Sequence, residues 1–185
     1  ATTSLHHHAK HLQNRNHQLL RFPGRAGPRR LPPLPGRKRL TTGQDIVDYA
    51  RTWIGTRWVH TGRSRQGIDC AGLLIKVAEH FDLPHGDMQG YRRDPGRAFL
   101  QHVKNHSDPI RPREPLNGAI GIFHDTTMPC HTGIFAVDSK TGLVTVIHSE
   151  SFPKRRVHEQ FYHEGVNALE TRLVDIRKFR GVDYV

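Results

Sequence analysis

The sequence predicts an α+β domain at residues 41–185, with N-terminal helices packed on an antiparallel sheet and a basic extended arm at residues 1–40 in front of it. The order of the patterns carries this prediction. Apolar residues recur at helical spacing as far as Phe81, and short β-branched and aromatic runs separated by turn residues follow from Ala119 onward. The charge is also split unevenly between the two parts.

Thr41-Thr42-Gly43-Gln44 reads as a capping box with Thr41 as N-cap and Gln44 three residues on. Ile46, Val47, Ala50, Trp53 and Ile54 then share one helical face, and Gly55 closes the segment. A loop from Thr56 to Gly67 carries Arg57, Trp58 and His60. Asp69 is placed to N-cap a second helix whose apolar face is Leu73, Leu74, Val77 and Phe81, ended by Leu83-Pro84. Pro84 to Asp94 reads as loop, and Ala98 to Val103 as a short helix. Strands are expected at Ala119–Phe123, Thr132–Val137 and Leu143–His148, the last two joined by a tight turn at Thr141-Gly142, with shorter ones near Arg156–Glu159 and Phe179–Val182.

The chain has 185 residues, enough for one domain with a core, and a formal net charge of +11. Residues 1–44 hold nine Lys or Arg and no Asp or Glu, whereas residues 45–185 hold 19 basic and 17 acidic residues, a difference of +2. The charge belongs to the leader, so direct nucleic-acid readout by the domain is not expected. No window approaches the ~18 apolar residues of a membrane span. Leu19-Leu20 is the longest apolar pair before Pro23, so no secretory signal is expected, and work outside a cytoplasm would need delivery by another route.

From Ala1 to Leu40 the chain is rich in Arg, His and Pro, with a stiff run from Pro28 to Pro35. Such a segment cannot bury enough apolar surface to offset its ordering entropy, so alone it is expected to be disordered. Its composition leaves open a docking arm for an acidic partner or assembly, a solvated tail, and an organellar transit segment. His6-His7-His8 is too short and isolated to define a metal site.

The chemistry centres on Cys70 in Gly67-Ile68-Asp69-Cys70-Ala71-Gly72-Leu73-Leu74. It stands where a polar loop gives way to a helix, and free N–H groups and the macrodipole at a helix start favour thiolate, the nucleophilic form. A cysteine nucleophile needs a base, and the base needs a group to orient it. Of ten histidines after residue 44, His131 opens one strand of the expected hairpin and His148 closes its partner. The two are therefore expected as cross-strand neighbours, His148 accepting from one nitrogen of His131 while the other faces the sulfur. Cys130, next to His131 on a strand, is expected on the opposite face as packing. For the same reason a zinc site built from Cys130, His131, His124 and His148 is disfavoured. Asp69 is read as an N-cap with an electrostatic role and not as a catalytic acid, since it would otherwise oppose thiolate formation next door. Arg92-Arg93 and Lys154-Arg155-Arg156 read as solvated faces, with contact to acidic polymers or a partner as the alternative.

Trp53-Ile54-Gly55-Thr56-Arg57-Trp58, Gly67 to Leu73, His131-Thr132-Gly133-Ile134-Phe135 and Val146-Ile147-His148 together resemble the NlpC-type cell-wall cysteine peptidases, a papain-like family. The likeness runs from about Asp45 to Val182 and leaves the leader uncovered. The stretch Tyr91-Arg92-Arg93-Asp94-Pro95 is similar to the branch found in phage tails and gene-transfer particles. The resemblance implies that Cys70 attacks an amide carbonyl, His131 is the base and His148 orients it. It implies the stem peptide of peptidoglycan as substrate, substrate contacts at Trp58, His60 and Asp69, and no metal or organic cofactor. For the arm it suggests tail-tip or baseplate partners, with action at the cell wall or periplasm from a virion-like particle. Three positions depart from the family pattern. Trp58 replaces a tyrosine, His60-Thr61-Gly62 replaces a double glycine, and Gly118-Ala119 replaces Gly-Asp. A structural tail or adaptor protein with little activity, and a secreted wall-hydrolysing effector, remain the alternatives.

Overall fold

The computed structural model describes residues 39–88, 90–93, 96–124, 129–165 and 168–184. These residues lie within one compact unit, Lys38–Val185. The arm at residues 1–40 falls outside the described residues except for Arg39 and Leu40.

A two-residue strand β1 (Thr41–Thr42) leads into helix α1 (Gly43–Arg51). The capping box is present but slides one residue from its expected place: Thr42 is the N-cap and Asp45 the reciprocating residue. Asp45 Oδ2 accepts from the Thr42 N–H at 2.8 Å, and the Arg39 guanidinium holds the same carboxylate at 2.6 Å. A carboxylate paired to arginine is the stronger acceptor, and Gln44 turns instead to Asp48 and Asn117. Ile46, Val47, Ala50 and Trp53 are buried as expected, whereas Ile54, beyond the helix end, is half-exposed. Gly55 adopts φ 91°, the left-handed geometry expected of a residue closing a helical segment.

The expected loop contains a small hairpin, β2 (Arg63–Ser64) and β3 (Gly67–Ile68), that runs directly into α2 (Cys70–His80). Leu73 and Val77 are fully buried on α2, each contributing about 1.5–3 kcal/mol through burial. The short helix is α3 (Arg97–Asn105), followed by β4 (Ser107–Pro109), β5 (Ile120–His124), β6 (Pro129–Val137), β7 (Val144–Glu150), β8 (Arg156–Phe161), β9 (Leu173–Phe179) and β10 (Val182–Asp183). Six of these strands form one sheet in the order β4-β9-β5-β6-β7-β8, with antiparallel pairing throughout. β10 pairs with β1 in parallel and ties the end of the domain to its start.

The sequence reading misses β4 and β9, and places its last strand at 179–182, where β9 ends at Phe179 and β10 begins at Val182. β9 is an internal strand, flanked by β4 and β5, yet it carries Asp175 and Arg177, both nearly fully buried. Arg177 donates to the Ser107 hydroxyl and carbonyl, each at 2.7 Å, so a buried polar latch replaces the apolar residues that would have signalled a strand. The three helices cover one face of the sheet, with Ile122, Ile134 and Ile147 beneath them. Phe123, Phe135, Val146 and Ile176 pack in a second cluster with Tyr162 and Leu169.

Candidate active site

The residues around Cys70 are positioned by α2 and the middle of the sheet. Asp69 N-caps α2 through Oδ1, which accepts from the Gly72 N–H at 2.8 Å. The same oxygen receives Arg63 Nη1 at 3.0 Å, while Oδ2 receives the Thr61 N–H at 2.6 Å and the Tyr91 hydroxyl. Arg63 is held in turn by Asp87. A buried carboxylate is tolerated only with this degree of pairing. Asp69 borders the cleft, and all of these bonds fix the loop, the helix start and Tyr91 around it.

On the sheet side, Thr132 Oγ1 donates to the Cys70 carbonyl at 3.2 Å and Ser149 Oγ to the Ile68 carbonyl at 2.7 Å. Both hydroxyl-bearing residues are fully buried, so they lock the start of α2 onto β6 and β7. Neighbouring residues on those strands carry the histidines. His131 Nε2 lies 2.8 Å from His148 Nδ1, with the rings in an edge-on arrangement. The two are diagonal and not directly opposed. The ladder pairs Ile134 with Ile147, so its continuation sets His148 against Gly133, two residues beyond His131. A Cβ at Gly133 would stand 2.4 Å from Val146 Cγ1 and 3.1 Å from His148 Cβ, so this glycine makes room for the imidazole pair. His148 Nε2 continues to Gln160 Oε1 at 3.2 Å.

Cys70, His131, Trp58, His60, Asp69 and Tyr91 all border one cleft of about 610 Å³ counted to its open mouth. His60 Nε2 is hydrogen-bonded to the Tyr91 carbonyl at 2.9 Å. The Arg93 guanidinium lies 5.1 Å from the centre of the Trp58 ring. A separate apolar cavity of about 550 Å³ lies between α2, α3 and residues 84–88, and Tyr91 and Phe99 border both. The apolar one has no cysteine in its lining, and the hydroxyl of its Ser107 donates to the Val103 carbonyl and accepts from Arg177, so the chemistry belongs to the Cys70 cleft.

Two sequence expectations are corrected here. Cys130 was expected on the face opposite His131, but β6 is bulged at this point. Phe123 pairs with His131 and His124 with Pro129, leaving Cys130 as the extra residue. The bulge breaks the alternation, and Cys130 borders the cleft together with His131 while also packing against the core. Adjacent Cys and His on this strand therefore do not diverge as assumed. Among the described residues no group of three or more His, Cys, Asp or Glu is placed to hold a metal ion.

The second correction concerns the resting thiol. Burial, and after it the Asp69 charge, push the Cys70 thiol up to about 12, against the lowering by Thr132. The helix start does not yield a standing thiolate, because burial, and after it the carboxylate that caps the helix, outweigh the dipole. Burial lowers His131 to about 3, helped by the charges of Arg172 and His158. Burial and the neighbouring His131 and His158 also hold His148 well below its ordinary value. The resting site is thus a neutral thiol beside neutral imidazoles. The thiol's hydrogen bond runs to the Cys130 carbonyl, with Sγ and O 3.8 Å apart, where a bond to His131 was expected.

Sequence reasoning missed Arg63, Thr132, Ser149 and Gln160, and saw Tyr91 only as part of a family-like stretch. Trp58 lacks the hydroxyl expected at its position, and Tyr91 brings a phenol into the same cleft from a different loop.

Fold and cleft together define the NlpC/P60 class of fold. An NlpC/P60 family protein from Bacillus cereus ATCC 10987 superimposes with a TM-score of 0.55 at 15% identity, over 76% of this chain and 41% of that one. NlpC2 from Trichomonas vaginalis gives 0.56 at 18% identity, over 78% of this chain and 49% of that one. NlpC1 from the same organism gives 0.55 at 18%, over 74% and 44%. The chain spans less than half the length of these proteins, and at such identities the likeness is one of fold. The sequence matches no protein-family model, and no curated protein sequence matches it.

Proposed function

We propose that this domain is a cysteine peptidase that hydrolyses amide bonds in peptidoglycan stem peptides. One observation carries the reading: Cys70 at a helix start and His131, which is hydrogen-bonded to His148 beyond it, border one cleft. In the reaction the thiol proton leaves the Cys130 carbonyl for His131 Nδ1, the nitrogen His148 does not use. The sulfur forms a bond to the amide carbon, and the carbonyl pair moves onto oxygen near the Cys70 N–H, left without a helical partner at the first turn. His131 then returns the proton to the leaving amine, and water hydrolyses the thioester. The neutral resting state means that proton transfer accompanies attack and does not precede it. The substrate class rests on the family-like motifs and the shared fold.

The finer reading is a component of a phage-like tail tip, opening the wall locally, with residues 1–40 fastening it to the assembly. The family-like stretch Tyr91 to Pro95 and the concentration of positive charge in the leader support it. Digestion of purified peptidoglycan, followed by mass spectrometry of released fragments, tests the activity. Wild-type protein releases stem-peptide fragments, and Cys70→Ala, folded normally, releases none. Equal release by both sinks the assignment.

A specific observation favours a second reading, a structural tail or adaptor protein with little turnover: the raised thiol pairs with a carbonyl and not with an imidazole. Thiol alkylation at neutral pH separates the two. A working site makes Cys70 react far faster than Cys130, whereas slow and equal rates favour the structural protein.

A further inference from the structure

The hydrogen-bond chain does not stop at His148, and where it stops decides which nitrogen of His131 carries a proton. His148 and Gln160 lie on one face of adjacent strands. The β7–β8 ladder pairs His148 with His158 and Val146 with Gln160, which puts Gln160 diagonal to His148. Gln160 presents its carbonyl oxygen to His148 Nε2 at 3.2 Å, and an oxygen acceptor there requires the N–H form of that nitrogen. His148 Nδ1 is then a bare lone pair. It accepts from His131 Nε2–H across 2.8 Å, and His131 Nδ1 is left bare as well. Reversing the Gln160 amide reverses every step. Its NH₂ would donate to His148, His148 Nδ1–H would donate to His131, and His131 Nδ1 would keep a proton and be unable to take one from Cys70.

We infer that Gln160 is a positioning residue, whose side-chain carbonyl selects the paired His148 and His131 tautomers that leave His131 Nδ1 able to receive the Cys70 proton. The inference deepens the peptidase reading and rests on it for its catalytic meaning. The tautomer matters because the site is neutral at rest: in a standing thiolate–imidazolium pair both His131 nitrogens would already be protonated. A neutral amide suits the task, since it orients His148 without supplying a negative charge that would hold an imidazolium there. Among the described residues the His158 ring also stands against His148, at 4.4 Å between centroids with its Nε2 engaged by Glu150 at 3.0 Å, and the Arg172 charge acts on both His131 and His148. Of these groups Gln160 is the one hydrogen-bonded to His148 Nε2, and through that bond it sets the direction of the chain.

The test is nitrogen-15 NMR of the histidine rings in the full chain at neutral pH, for wild type and Gln160→Met, together with peptidoglycan kinetics. Wild type is expected to show His148 and His131 both protonated at Nε2. Gln160→Met is expected to show mixed tautomers, with kcat lowered about tenfold, the scale of one well-placed hydrogen bond, and KM unchanged. A purely structural role would instead lower thermal stability and leave the tautomers as they were. The inference is overturned if wild-type His148 carries its proton on Nδ1, or if Gln160→Met keeps both the tautomers and kcat. Should the variant not fold, the wild-type spectrum still decides. Cys70→Ala gives the same spectrum whether or not the peptidase reading holds, which separates failure of one from failure of the other.

Discussion

Replacing Asp69 with Asn separates the structural and electrostatic roles of the residue before the nucleophile. Asparagine caps helices about as well as aspartate, so the bond to Gly72 N–H survives. The Arg63 guanidinium loses its carboxylate partner on Oδ1, and an NH₂ group faces the Thr61 N–H where Oδ2 stood. Tyr91 can turn its hydroxyl, but the Thr61 N–H cannot turn. Breaking a buried ion pair costs about 3–5 kcal/mol. Here Arg63 keeps Asp87 at 2.9 Å and its side chain is 18% exposed, which brings the expected loss down. We expect roughly 2–3 kcal/mol, or about 5–10 °C in Tm for a domain of this size. The same substitution removes the second-largest influence raising the Cys70 thiol, so its titration should move downward while burial still holds it above the ordinary value. Denaturant unfolding reads the first effect, and the pH dependence of iodoacetamide alkylation at Cys70 reads the second. An unchanged or higher alkylation midpoint, or unaltered stability, would refute the reasoning.

Gly133→Ala places a methyl group against Val146 and His148, and is expected to cost about 1–3 kcal/mol by overpacking while reducing kcat more than it raises KM. Normal turnover in a folded Gly133→Ala protein would show that the imidazole pair does not depend on that space. His131 and His148 both titrate below their ordinary value in the folded state, so the unfolded chain takes up protons first as pH falls. Their contribution to stability is complete above about 6.5 and is lost as pH falls toward 3. Thermal melts from pH 7 down to 3 should show this slope, and His131→Asn should flatten it; parallel curves for the two proteins would contradict the burial argument. The proposed docking role predicts that removing residues 1–38, which spares the Arg39–Asp45 pair, leaves peptidoglycan hydrolysis intact and impairs incorporation into a particle, and the reverse outcome would refute that role.

The helix starts and the hairpin were legible in the sequence because each depends on local chemistry. Asp69 caps α2 by its own side chain, and Thr141-Gly142 turns within a single segment. The capping box of α1 was misplaced by one residue because Arg39, outside the motif, decides which acceptor wins. β9 was missed because Asp175 and Arg177 satisfy each other and Ser107 across the fold, a pairing no local pattern announces. The site followed the same division. Cys70, His131 and His148 could be picked from spacing and motif. Gln160 could not, since its role comes from a diagonal contact between β7 and β8. Nor could the Cys130 bulge, which depends on how β5 and β6 register.

Capture of the covalent intermediate tests the central claim most directly. Wild-type protein mixed with peptidoglycan fragments, quenched in acid within the first turnovers and analysed by intact and peptide mass spectrometry, should carry a stem-peptide acyl group as a thioester on Cys70 and none on Cys130. Fragment release without any adduct at Cys70, or continued release by Cys70→Ala, would contradict it.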